Sequence, residues 1–169
     1  MDRSTLAILR FTGVGQAKHK ETEMRVAHNS LIVVADGKKA LFFRNQGDAD
    51  FPILILEQKQ QHENPADRDQ KSDEAGRVFS SAGDRRSAYE EADYHKLGED
   101  RFAAETGEML KLRALRNDFH SLIVVAPPRT LGELRKHYHE EVEKRLTGEI
   151  AKDLTAHPIT EIEKILGDQ

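Results

Sequence analysis

The chain has 169 residues, enough for one domain, with 33% charged and 37% hydrophobic residues, the balance of an ordinary globular protein with a charged surface. Its 26 basic and 30 acidic residues leave a net charge of -4, which argues against a broad nucleic-acid-binding face and leaves room only for a local basic cluster. Cysteine is absent, so disulfides, thiolate catalysis and cysteine-bound zinc are excluded.

In chain order, residues 1–28 show no periodicity and are expected to be a disordered extension. The apolar part of MDRSTLAILRFTGVGQ is too short for a secretory signal, and no run approaches the roughly 20 apolar residues of a membrane helix. The expected address is cytoplasmic, with no membrane partner. Order is expected from Ser30, within one domain spanning 29–169. Leu31–Ala35 (LIVVA) reads as a strand closed by Asp36-Gly37, and Lys39–Arg44 follows at once, so the two form a hairpin. The turn Asn45-Gln46-Gly47-Asp48 leads to a third strand over Phe51–Gln58. A long polar segment then runs from Gln60 to Arg86, a length that is usually functional or disordered.

Ser87-Ala88-Tyr89-Glu90 matches a capping box and opens a helix that the spacing of Phe102, Thr106, Met109 and Leu110 carries to about Arg116. Ser121–Ala126 is a continuous apolar run, hence a central strand, ended by Pro127-Pro128. A second capping box, Thr130-Leu131-Gly132-Glu133, predicts a helix with Leu134, Tyr138, Val142 and Leu146 on one face, continuing helically through Ile150 and Leu154. A last helix is expected from Pro158 to near Gly167.

The order β-β-β-α-β-α-α predicts an α/β fold: a three-strand antiparallel meander plus one parallel strand, in the order 3-2-1-4, with helices packed on it. This resembles a ribonuclease H-like mixed sheet. In that arrangement both helix N-termini and the Asp36-Gly37-Lys38 turn come to one sheet edge. Arginines stand just upstream of each predicted helix start, in Asp84-Arg85-Arg86 and at Arg129. Helix N-termini present free N–H groups and partial positive charge, so the candidate anion-binding set is Asp36, Lys38, Arg77, Arg85, Arg86, Arg129 and Thr130. The competing reading is that these arginines pair with Asp36, Asp84 or the acidic loop and only tie the chain down.

No catalytic set is complete. Two-metal chemistry needs several converging carboxylates, and Asp36 is the one on a strand end. His137 and His139 are two apart on a predicted helix and diverge. His95 reads as a surface or packing residue. There is no G-x-S-x-G and no phosphate-binding G-x-x-x-x-G-K-[ST]. Neither a metal nor a cofactor is expected, and the chain reads as a binding protein rather than an enzyme.

The segments VVADGKKALFFRNQGD, HENPADRDQ, GRVFSSAGDRRSAYEEADYHKLGEDRFA and VVAPPRTLGELRKHYHEEV resemble the bacterial host attachment family, over about Asn29 to Leu166. That family is similar, more distantly, to the middle domain of archaeal and eukaryotic class-1 release factors and of pelota. The resemblance implies the same α/β fold and contact with RNA or the ribosome through an arginine-bearing loop. In release factors a Gly-Gly-Gln tripeptide precedes a long helix, whereas the comparable place here reads Gly83-Asp84-Arg85-Arg86, so peptidyl-tRNA hydrolysis by that route is not expected. The resemblance also implies a start near Met24, with residues 1–23 an extension or an upstream misassignment. Three functions remain open: a non-enzymatic module binding an anionic partner such as RNA or the ribosome, a hydrolase using Asp36 on a phosphorylated or nucleic-acid substrate, and an adhesion protein, with any attachment role most simply indirect.

Overall fold

A computed structural model describes residues 24–62 and 84–169, with side-chain surroundings from 24 to 62 and from 93 onward. Five strands form one sheet: β1 (Leu31–Ala35), β2 (Lys39–Asn45), β3 (Leu54–Gln61), β4 (Leu122–Ala126) and β5 (Leu146–Ala151), in the order β3-β2-β1-β4-β5. The antiparallel meander β1-β2-β3 and the parallel pairing of β1 with β4 are as the sequence predicts. Both LIVVA runs are buried at every residue. Alternation explains why: Leu31, Val33, Leu122 and Val124 face one apolar layer, while Ile32, Val34, Ile123 and Val125 face another. The first layer holds helix α1 (Asp84–Leu115) through Phe102 and Leu110, and helix α2 (Pro128–Arg135) through Leu131 and Leu134. The second holds helix α4 (Ile159–Gly167) through Ile162 and Leu166.

The expected helix through Leu146, Ile150 and Leu154 is corrected. The helical face stops at Arg135, and His139 adopts an extended backbone (φ -77°, ψ 150°) from which the one-turn helix α3 (Glu140–Glu143) begins, capped by the His139 ring accepting from the Glu141 N–H. Leu146–Ala151 then lies parallel to β4 as an outer strand. A register shift there, with Leu122 opposite Leu146 but Ile123 opposite Gly148, turns Leu146 toward the α1 layer and Ile150 toward the α4 layer. The even spacing that looked helical is therefore a bulged strand.

Both capping boxes are corrected as well. Pro128 opens α2 with Pro127 as its N-cap, a position suited to a residue with no N–H to satisfy, so Thr130 lies inside the helix. Glu133 pairs with Lys136. The helix expected from Ser87 is already formed at Asp84. The third strand starts three residues later than expected, because Asp48 Oδ1 accepts the N–H groups of Asp50 and Phe51 and holds a turn there. Order also begins before Ser30: Val26 is buried, and the buried Asn45 amide donates to the carbonyls of Val26 and Ala27.

Candidate functional site

The C-terminal ends of β1 and β4 meet the start of α2, as expected. Asp36 shapes this edge. Its Oδ1 accepts the N–H groups of Lys38 at 2.9 Å and Lys39 at 2.8 Å, and its Oδ2 accepts from the Thr155 hydroxyl at 2.8 Å. That hydroxyl also lies 3.0 Å from Asp153 Oδ1, and Lys39 Nζ donates to the Thr155 carbonyl. Gly37 turns the chain at φ +93°, a conformation that favours glycine. A Cβ there would stand 3.5 Å from both Glu99 Cγ and Thr130 Oγ1. Arg129 completes the edge by pairing with Glu99 at 2.9 Å.

This geometry decides much of what Asp36 can do. A carboxylate has about four acceptor positions, and three are spent on the turn and Thr155. Among the described residues, no three of histidine, aspartate and glutamate converge as metal ligands. Lys38 is exposed, and the Arg129 side chain is 66% exposed despite its partner.

Asp36, Lys38, Arg129 and Thr130 are thus brought together, while Arg85 and Arg86 stand apart. The expectation that both helix N-termini reach the sheet edge holds for α2 alone. The point of α1 beside Gly37 is Glu99, and at 1.5 Å per residue the first turn of α1 lies about 20 Å farther along the helix. Asp93–Gly98 are all exposed, and from Asp93 onward the first fully buried side chain is Phe102. Arg77 lies outside the described residues.

Sequence reasoning missed Glu99, whose role depends on which helical turn crosses the hairpin, and Asp153 and Thr155, which lie in the loop between β5 and α4 where a helix was expected. It also missed a charge network at the far side of the sheet. The bulge between Phe42 and Phe43 sets Glu57 out of register on β3. There it receives Arg44 at 2.8 Å and also Arg113 of α1. Asp118 accepts from Arg44 at 3.1 Å and Arg113 at 2.6 Å. Burial alone would raise both carboxyls, but the hydrogen bonds and charges of the two arginines outweigh it and hold both below the usual carboxylate range. This network closes α1 onto the meander and is structural.

A protein-family model, described as bacterial archaeo-eukaryotic release factor family 12, matches residues 29–166, which span the sheet and almost all of the packed helices. The chain belongs to this release factor family. The release-factor part of the resemblance therefore stands, and the match does not carry the host attachment description. Among curated proteins none matches the chain. Where the release-factor resemblance puts Gly-Gly-Gln, this family 12 domain opens α1 with Asp84-Arg85-Arg86. No helix of the described residues is long and apolar enough to cross a membrane.

Proposed function

We propose that this release-factor-like domain is a non-catalytic binding module that carries the arginine-bearing start of α1 to RNA at the ribosome, in the cytoplasm. The observation that supports it is the reach of α1. The 15 residues Asp84–Gly98 precede the level of the sheet edge, a length of about 22 Å, and Tyr94 and Leu97 on this stretch are 74% and 63% exposed. A helical stretch of this length is marginal in water without packing. Burial of Asp93–Gly98 does not account for it, whereas contact of the helix start with a partner would.

Charge confines the contact to the tip. The chain as a whole is acidic, so an RNA backbone would meet attraction only locally, at Arg85 and Arg86 in the first turn, where the helix end adds partial positive charge. Arg77 belongs to the segment just before it. Arg129 and Lys38, at the root of the lever, offer a second and weaker contact. A hydrolytic role for Asp36 loses support because three of its roughly four acceptor positions are taken, and no observation favours adhesion.

Co-sedimentation with purified ribosomal subunits over a salt series tests the reading. Wild-type chain should sediment with a subunit at low salt and be released as salt rises. The Arg85→Ala/Arg86→Ala variant, equally stable in a thermal melt, should bind about tenfold more weakly. Equal binding by the two proteins would contradict it.

A further inference from the structure

The opposite end of the sheet carries a second surface. Phe51 is 76% exposed, Ile53 54%, Ile55 44% and Leu56 45%. These four large apolar side chains lie within six residues, on and just before an outer strand of the sheet. Concentrated apolar exposure on an outer strand is a template for strand pairing. The Gln46 N–H donates to the Ile53 carbonyl at 2.8 Å. Alternate residues of an antiparallel pair point their backbone groups toward the partner strand, so Ile55 turns inward while Leu54 and Leu56 turn outward. The outward Leu54 N–H is met by Glu163 of α4 at 2.7 Å. Beside it, a groove of about 310 Å³ is lined by Asp50, Phe51, Pro52, Glu163, Lys164 and Asp168. Three carboxylates face one ammonium there, and the C-terminal end of α4 adds partial negative charge. An exposed aromatic ring with carboxylates around it suits a cation.

We propose that β3 is the contact of a two-fold dimer, in which the outer strands of two copies pair antiparallel about Ile55 and Lys59 of each copy enters the acidic groove of the other. The strand is self-complementary in that register. Ile55 meets Ile55, and the outward groups of Leu54 meet those of Leu56. The bulge at Glu57 then brings Lys59 opposite Phe51 and Pro52. Lys59 pairs across β2 with Leu41, which faces the α4 layer, so its side chain lies on the face that carries the groove. Glu163 occupies the place of the incoming Leu56 carbonyl, and dimerisation transfers its carboxylate from the Leu54 N–H to the incoming ammonium. The start of α1 projects past the other end of the sheet, so this contact is independent of the proposed RNA contact.

Sedimentation equilibrium of the full chain, over a wide range of protein concentration, tests the proposal. The wild type should show a reversible dimer. Ile55→Lys should weaken it about a hundredfold and Lys59→Glu about tenfold, both at exposed positions and both with unchanged thermal melts. The Lys59→Glu chain mixed with an Asp50→Lys/Asp168→Lys chain should recover a heterodimer, and Arg85→Ala/Arg86→Ala should dimerise as wild type does. A wild type that stays monomeric at every concentration would leave the edge to a strand of some other protein and overturn the proposal. A dimer indifferent to Ile55→Lys or to Lys59→Glu would overturn it too.

Discussion

The two halves of α1 are one continuous helix under opposite physical regimes. From Phe102 to Leu115 the helix is held by the core: Phe102, Ala103, Leu110 and Ala114 are buried, and Arg113 joins Glu57 and Asp118. Asp93 to Gly98, on the other half, are exposed at every residue. The docked half is specified by packing and tolerates little change. The exposed stretch Asp93–Gly98 is held by helix propensity rather than by burial.

Truncating one large side chain on each half should separate the two regimes. Phe102→Ala should lower unfolding free energy by about 3–5 kcal/mol in a denaturant titration. Tyr94→Ala should change it by less than about 0.5 kcal/mol. Similar losses at both positions would show that the projecting half is packed after all.

The helix's two glycines sharpen the point, because alanine is the better helix former by roughly 1 kcal/mol. At Gly107 a Cβ would come within 2.7 Å of the His137 carbonyl and 2.8 Å of its Cβ. Gly107→Ala should therefore push α1 from the turn after α2 and destabilise by about 2 kcal/mol. Nothing lies within 4 Å of a Cβ at Gly98. Gly98→Ala should stabilise by about 0.5–1 kcal/mol, read as a higher thermal midpoint.

Arg113→Met keeps the aliphatic stem of a residue whose guanidinium lies 5.7 Å from the Phe42 ring centroid but removes its charge from Glu57 and Asp118. The expected loss is about 1 kcal/mol, since both carboxylates remain partly exposed. Its pH dependence identifies the cause. Both carboxyls are depressed in the folded chain, so their stabilisation is present above their unfolded pKa and is lost as pH falls through the folded one. The wild type should therefore lose stability more steeply than Arg113→Met as pH drops below about 4. Parallel pH profiles would assign the loss to packing.

How much of this was legible follows from the same contrast. The two LIVVA runs could be placed at the sheet centre because a strand buried on both faces leaves a continuous apolar record, and short turns settled the meander. β5 was hidden because an outer strand needs few apolar residues, and its bulge put Leu146 and Ile150 at a spacing that also suits a helix. Ser87 and Thr130 misled because the capping-box pattern fits equally well inside a helix. That Asp36, Lys38, Arg129 and Thr130 share one edge was legible because topology brings them together. Glu99 was not, since its place beside Gly37 depends on where along its length α1 crosses the hairpin. Local pattern carries no record of that crossing, and the separation of Arg85 and Arg86 from the edge follows from it.

If the start of α1 meets RNA, Arg85 and Arg86 are the side chains that carry the contact. The most direct measurement is the affinity for a single-stranded RNA as a function of salt, compared between wild type and Arg85→Ala/Arg86→Ala. Each phosphate contact to a single strand contributes about 0.7 to the slope of log affinity against log salt. Loss of two contacts should therefore flatten the slope by about 1.4 while the thermal midpoint is unchanged. Superimposable slopes for the two proteins would contradict the account.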